Sequence, residues 1–452
     1  MANRVRSSLY VSLYGFLLSF SGWYFGYEIG MFNTFFDIFY ANAYPGNTDG
    51  ESVKANLSLF IMFGGMIACL SAGYIIDVLG RYRSALALMT AQLLIIAISL
   101  NVSIPLLYAT RFAHGYLACS WTFLAPLMIR ELMPDATKNF FSGMFYIFLT
   151  LGILTAYGLA YDVLGDYWRY VFAFPAVFEI PKLISFVLVF RIESPKWICM
   201  RTRDADVRQA LIADSLKRIY VDEDVDRMAS LIVDESRSAS TGDEVGVRDL
   251  ITPAYRTQFL IVLLINFLNQ MTGINFLILN STEMFTELGR ANPKRDTFIM
   301  GIMNFIGAVA ITALAARVSK KYALVVGMGV QALGHFILLL AITFKAGLLA
   351  VFGVYLYMVA FAMSLGGCMY PYQADVLPAT GISIASVIQW ILSTLIGKFG
   401  YEITKKFGQF TVFLVLMIIA LIGSVLFAGY GIVTENKTDA EIKDEFNTKT
   451  FM

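Results

Sequence analysis

A carboxylate in the middle of an apolar run is the first group in this sequence that could do chemistry. Glu28 sits in Phe-Gly-Tyr-Glu-Ile-Gly (25–30), with Gly22, Gly26 and Gly30 around it. An ionisable side chain in such a run costs roughly 2.5–3.5 kcal/mol on insertion scales, and such residues mark functional sites by default. Its natural partner is Arg111, at the start of another apolar run. A carboxylate that alternates between an arginine and a proton can carry that proton. The competing reading is a static pair fixing two helices. A second cluster consists of amides and small residues in one segment: Asn266, Asn269, Gln270, Thr272, Gly273, Asn275 and Asn280. Asn266 and Gln270 fall on one helical face at i, i+4. Amides both donate and accept, which suits sugar hydroxyls. Interhelical hydrogen bonding, at about 0.6 kcal/mol per contact, is the alternative. Asn304, and Gln389 beside Trp390, extend the pattern, because an aromatic face next to amides holds a pyranose ring. A third cluster, Asp-Val-Leu-Gly-Arg-Tyr-Arg (77–83), places Asp77 to cap or pair with a helix, Gly80 to make a tight turn, and Arg81 and Arg83 at an aqueous face.

The background behind these residues fixes what must position them. The chain has 452 residues, 34 Lys+Arg against 33 Asp+Glu, a net charge of +1, 58% hydrophobic and 15% charged residues. Mean hydropathy is +0.67. Soluble chains carry about 25% charged residues, so disordered, nucleic-acid-binding and soluble-enzyme classes are excluded. No Ser–His–Asp order, metal-ligand spacing or phosphate loop is present. The four cysteines (Cys69, Cys119, Cys199, Cys368) are unpaired in spacing, and His114 and His335 lie in apolar runs, so neither metal nor cofactor is expected. The amino terminus lacks a cleavable-signal pattern.

A helix needs about 20 apolar residues to cross about 30 Å of hydrocarbon. Twelve segments qualify: 9–37, 53–77, 84–101, 104–132, 138–163 and 168–190, then 256–285, 297–317, 322–344, 348–377, 382–403 and 408–432. The organisation expected is an amino-terminal six-helix bundle (1–192), a cytoplasmic helical linker (193–255), a carboxy-terminal six-helix bundle (256–432) and a cytoplasmic tail (433–452). With both termini cytoplasmic, about 23 of the 34 Lys and Arg lie inside. The acidic run at 222–226 is read as a solvated helix face. Asn56 and Asn101 begin glycosylation sequons close to span ends. The fold class is all-α, multi-pass and two-bundled, in contact with the lipid bilayer.

Several motifs occur in a telling order. Besides 25–30 and 77–83, the chain has Arg-Phe-Ala-His-Gly (111–115), Pro-Leu-Met-Ile-Arg-Glu-Leu-Met-Pro (126–134), Glu-Ser-Pro-Lys-Trp (193–197), Asn-Gln-Met-Thr-Gly-Ile-Asn (269–275) and Gln-Trp (389–390). Over nearly its whole length it resembles a sugar porter of the major facilitator superfamily. That resemblance implies alternating access through a cavity between two bundles, with a hexose or related polyol as substrate. It gives Asn269, Gln270, Asn275, Asn304, Gln389 and Trp390 a role in sugar contact, with Tyr370 at the place of a cavity Trp and Asn280 near the outward gate. Glu28 takes the place of the carboxylate that couples protons in symporters, paired with Arg111. Asp77, Arg81, Arg83, Glu131 and Glu193 would form a cytoplasmic charge network that latches the outward-facing state.

The chain also departs from the family. Tyr146 stands where a sugar-contacting Gln is usual, and a paired Tyr after the 269–275 motif becomes Leu279–Asn280. Lys138–Asn139 replaces Arg-Gly, and Arg130 is an extra charge. In the second half, Ser319–Lys320–Lys321 replaces Gly-Arg-Arg, Asp375 replaces Glu, Ile382 stands for an arginine, and Pro-Glu-Thr survives only as Thr-Glu-Asn (434–436). A weakened second-half latch is expected. These losses motivate an alternative, a sugar-porter-like chain retained as a structural or accessory subunit with partners in a larger membrane complex.

Overall fold

The computed structural model describes residues 7–162, 167–202, 204–221, 225–233, 246–253, 255–315, 317–435 and 437–448. Residues 222–224 of the acidic run and Asn436 lie outside the described residues. The first group of helices comprises α1 (Ser8–Ala43), α2 (Gly50–Leu79), α3 (Arg81–Ser99), α4 (Ile104–Leu132) and α5 (Asp135–Asp162), then α6 (Arg169–Ala173) and α7 (Ala176–Leu188), which share one span. Short helices follow in the polar stretch, among them α8 (Pro195–Arg201) and α9 (Ala205–Lys217). The second group comprises α10 (Arg256–Met271), α11 (Ile274–Glu287), α12 (Pro293–Leu314), α13 (Lys320–Thr343), α14 (Gly347–Phe361), α15 (Met369–Val376), α16 (Ala379–Phe407) and α17 (Gln409–Tyr430). A tail helix, α18 (Asp439–Thr448), closes the chain.

Among the described residues, 11 helical stretches are long and apolar enough to cross a membrane, against twelve expected. The remaining one is α1. Its 36 residues suffice in length, but Tyr, Trp, Ser and Gly lower its hydropathy. It is nevertheless interior: Trp23, Tyr24, Tyr27, Phe35 and Phe39 are all buried. Glycines let α1 and α5 touch backbone to backbone, since a Cβ on Gly26 would stand 1.8 Å from the Leu149 carbonyl oxygen.

Two spans are broken where the site will be found. Between α10 and α11, Gly273 adopts φ +102°, which an L side chain rarely tolerates. The Thr272 carbonyl freed there is bonded by His335 Nε2 at 2.8 Å. Between α14 and α15, residues Ala362–Gly366 form a π-helical segment. Such interruptions in membrane helices persist only where protein or a cavity satisfies the backbone, and they are frequent at functional sites.

Candidate functional site

Both breaks face a continuous chain of amides. Tyr370 Oη donates to Gln389 Oε1 at 3.4 Å, and Gln389 Nε2 to Asn269 Oδ1 at 3.2 Å. Gln270 Nε2 reaches the same oxygen at 2.8 Å, and Asn275 Nδ2 donates to Gln270 Oε1 at 2.6 Å and to Ser393 Oγ at 2.7 Å. Ser393 ends the chain on Met62 Sδ, in the first half of the molecule, at 3.0 Å. Asn269 Nδ2 also satisfies the Leu365 carbonyl in the π segment at 3.3 Å. Five of the eight residues assigned to sugar contact thus form one neutral cluster between the halves. The other three stand apart. Trp390 fills the α2–α16 seam, over Gly65 and 6.1 Å from the Phe25 ring. Asn304 lies on α12 with its Oδ1 buried and unbonded. Asn280 Nδ2 turns back to Phe276 O in its own helix at 3.0 Å. Tyr146 reaches across from α5, its hydroxyl packed so tightly on Gly366 that a Cβ there would lie 1.9 Å from it.

Glu28 and Arg111 meet as expected. Arg111 Nη1 donates to Glu28 Oε2 at 2.9 Å and Nη2 to the Glu28 carbonyl at 2.8 Å, and the guanidinium lies 4.8 Å from the Phe32 ring centre. His114, one turn further along α4, brings Nδ1 to 3.5 Å from Glu28 Oε1. Tyr24 Oη is 2.6 Å from that nitrogen, and Ser99 Oγ 2.9 Å from Nε2. All five residues are buried. A proton on Glu28 Oε1 leaves the Arg111 contact to Oε2 intact.

The end carrying 77–83, here the linker end, holds the charge network. Arg81 binds Glu131 through Nε and Nη2 at 3.0 and 3.1 Å and Asp77 through Nη1 at 2.8 Å. Its backbone N–H donates to Glu193 at 2.8 Å. Burial pushes the Glu193 carboxyl above its usual range, and N–H donors from Ser194, Tyr82 and Arg81 partly offset this. Arg83 is exposed and joins none of these pairs.

The second half, where a weakened latch was expected, builds a more exposed network on a single lysine. Lys320 Nζ binds Asp375 Oδ2 at 2.7 Å and lies 3.6 Å from Glu435, while its N–H donates to Glu435 at 2.7 Å. Ser319 Oγ donates to Glu435 at 2.9 Å, and Thr434 Oγ1 to Asp375 at 2.6 Å. Asp375, whose expected arginine is Ile382, thus pairs with Lys320 instead. Beyond Glu435, Ile442 and Phe446 are buried, and Lys443 sits 4.4 Å over the Tyr255 ring. Burial alone would raise the Glu435 carboxyl, but the Lys320 N–H, the Ser319 hydroxyl and the Lys320 charge hold it below its usual range. A depressed carboxylate stabilises above its unfolded pKa, and that contribution is lost as pH falls through the folded value. Hydrogen exchange of the α18 amides, corrected for intrinsic rate, should therefore rise on acidification through that range, and at neutral pH in Glu435→Gln. Unchanged exchange in the variant would show that the tail docks without this carboxylate.

At the opposite end, side chains join the halves. Lys54 pairs with Glu283, Lys405 with Glu51 at 3.2 Å, and Lys398 Nζ donates to Asn56 at 2.6 Å. Deeper in, Asn33 Nδ2 donates to the Ile278 carbonyl at 2.6 Å and to Ser281 at 2.7 Å, and Tyr157 Oη donates to Ile278 at 2.9 Å. The charge networks at the linker end each stay within one half. The halves are therefore joined by side-chain contacts at the end away from the linker.

This arrangement has known counterparts. The family model described as sugar (and other) transporter matches residues 14–446. The chain belongs to that family. Among curated relatives of this transporter, plastidic glucose transporter 4 of Arabidopsis thaliana is 24% identical over 443 residues, covering 93% of this chain and 77% of its own. The galactose-proton symporter of Escherichia coli K12 is 25% identical over 422 residues, covering 88% and 86%. Among solved structures, a partially occluded inward-open form of the xylose transporter XylE from E. coli superposes with a TM-score of 0.77 at 19% identity, covering 95% of this chain and all of that one. That likeness supports the all-helical major facilitator fold.

Sequence reasoning missed several members of the transporter's polar core. Ser393 follows Gln389 by four residues and His114 follows Arg111 by three, so helical spacing carried both signals. Asn33 and Tyr157 sit on helices joined only in space, and no spacing rule reveals their meeting with Ile278.

Proposed function

We propose that this transporter moves a neutral sugar or polyol by alternating access, driven by a proton gradient acting on Glu28 and Arg111. The observation that carries the reading is the uncharged amide chain from Tyr370 to Ser393, in a molecule that also holds a buried carboxylate whose Oε1 can take a proton while Oε2 keeps Arg111. Neutral donors and acceptors in alternation match a polyhydroxylated ligand, and a hydroxyl of the ligand can take up the free Asn304 Oδ1. Asp77, Arg81, Glu131 and Glu193 brace the linker end of the first half, the face that meets the second half in the outward-facing state, and Asn280 serves the outer gate. By the Lys/Arg bias, the linker end and both termini are cytoplasmic. The boundaries 1–192, 193–255, 256–432 and 433–452 belong to this reading.

Uptake of labelled hexoses and pentoses into proteoliposomes, with and without an inward proton gradient, tests it. Saturable uptake that rises with the gradient in the wild type and loses that response in Glu28→Gln is the expected result. Uptake indifferent to the gradient removes the coupling and leaves a facilitator. No uptake by folded protein removes the transport reading and favours the accessory-subunit role.

A further inference from the structure

A cleft on the flank of the first half has no part in the transport reading above. It lies between α2 and α3, floored by α4, and Ile75, Ile76, Leu79, Ala87, Leu88 and Tyr116 make most of its wall. It encloses about 80 Å³. Ile75, Leu79 and Ala87 are exposed at its mouth, as are Tyr74 and Val78 beside it on α2. Apolar side chains left bare on a membrane helix meet hydrocarbon, so the cleft opens towards lipid. Its volume would admit water, but a buried water needs two to four polar partners, and this wall is almost wholly apolar. The space suits a chain of methylene groups better.

One polar atom on that wall is unsatisfied. Ser84 lines the cleft at 3% exposure, and its Oγ is buried with no hydrogen-bond partner. The other lining hydroxyls are bonded: Tyr116 Oη to Ser71 Oγ at 3.1 Å, and Ser120 Oγ to the Tyr116 carbonyl at 2.8 Å. A hydroxyl buried without a partner is costly, so Ser84 calls for an acceptor inside the cleft. Its depth is also informative. α3 begins at Arg81, which puts Ser84 about 4.5 Å along the helix from its linker end. Arg83, next in the chain, is exposed and has no hydrogen bond or ion pair among the described residues. It precedes Ala87 by four residues and so shares the cleft side of α3. Arg81, by contrast, is committed to Asp77 and Glu131.

We propose that this cleft binds one anionic phospholipid from the leaflet at the linker end. Its phosphate meets Arg83, an ester carbonyl accepts from Ser84 Oγ, and one acyl chain lies between α2 and α3 against Leu88 and Tyr116. From rim to floor the cleft offers a cation, a donor and an apolar wall, the order of phosphate, ester and chain in such a lipid. The guanidinium fork suits phosphate oxygens. A free phosphate would use Arg83 alone, and a sterol would use Ser84 and the wall but leave Arg83 idle. The site stands whether or not Glu28 carries a proton.

The test is native mass spectrometry of the full chain in mild detergent, titrated with palmitoyl-oleoyl phosphatidylglycerol or with phosphatidylcholine of the same chains. Wild type should retain one phosphatidylglycerol with a preference of about fivefold, the size expected for one cation at a membrane surface. Arg83→Gln should erase the preference, and Ser84→Ala should weaken retention of both lipids. Ala87→Phe, which fills the cleft, should abolish it. Lys345→Gln, at an exposed cation of the opposite end, should change nothing. Thermal unfolding without added lipid checks that each variant is folded, and Arg83→Gln alters only an exposed side chain. Retention unchanged in Ala87→Phe, or a preference that survives in Arg83→Gln, overturns the site. Glycerophosphoglycerol bound as tightly as the intact lipid, or cholesterol retained in its place, overturns it too.

Discussion

Replacing Arg111 with methionine should cost about 3–5 kcal/mol of stability, the range for stranding one partner of a buried ion pair. The substitution removes both donors at once, the one to Glu28 Oε2 and the one to the Glu28 carbonyl. It also removes the cation from above the Phe32 ring. Glu28 remains buried at 2% exposure, with His114 Nδ1 3.5 Å from its Oε1. Thermal unfolding in mild detergent reads the loss. The Arg111→Met/Glu28→Gln double variant should recover most of the stability, because no charge is stranded, while gradient-driven uptake stays absent. If Arg111→Met unfolds at the wild-type temperature, the pair contributes nothing to the fold and its place in the mechanism loses its physical basis.

Gly26→Val is expected to be equally damaging for a different reason. A Cβ at position 26 would stand 1.8 Å from the Leu149 carbonyl oxygen and 2.8 Å from its carbon, and one at Gly152 would stand 2.0 Å from the Trp23 oxygen. The obstacle is backbone on both sides, so no side-chain rotation relieves it. The cost lies at or beyond the upper end of about 1–3 kcal/mol for overpacking, and it forces apart the two helices on which Glu28 and the Tyr146 contact depend. Size-exclusion profiles of fluorescently tagged protein should show aggregate for Gly26→Val. Gly73 on α2, with nothing within 4 Å of a Cβ, gives the control. Gly73→Ala should remain monodisperse, since alanine is the better helix former by about 0.8–1.0 kcal/mol.

The architecture was legible because hydrocarbon tolerates so few backbone arrangements that hydropathy and length suffice to find the helices. Even α1, too rich in Tyr, Trp and Gly to meet the same apolarity, was marked by its length. Charged members of the site were legible for the same reason: Glu28 and Arg111 stand out because they are costly in their setting. Less visible was anything depending on which helices become neighbours. Asn33 reads as one more polar residue until α1 meets α11. Asn280 reads as part of the amide motif, yet the rotation of α11 turns it back on its own helix. The second-half network was hard to read because residue identities were compared one position at a time. The structure instead redistributes the bonds, with Lys320 answering to two acids and Glu435 capping the start of α13.

The amide chain described above satisfies itself. In a carrier that must return empty to fetch its next cargo, unpaired amides in a closed, dry centre would each cost about 1–3 kcal/mol. Because Gln389, Asn269, Gln270, Asn275 and Ser393 bond to one another, the centre can close on itself without that penalty. The same economy works against the cargo, which gains only the difference between its hydrogen bonds and those it displaces. A site that satisfies itself thus trades binding strength for ease of closing.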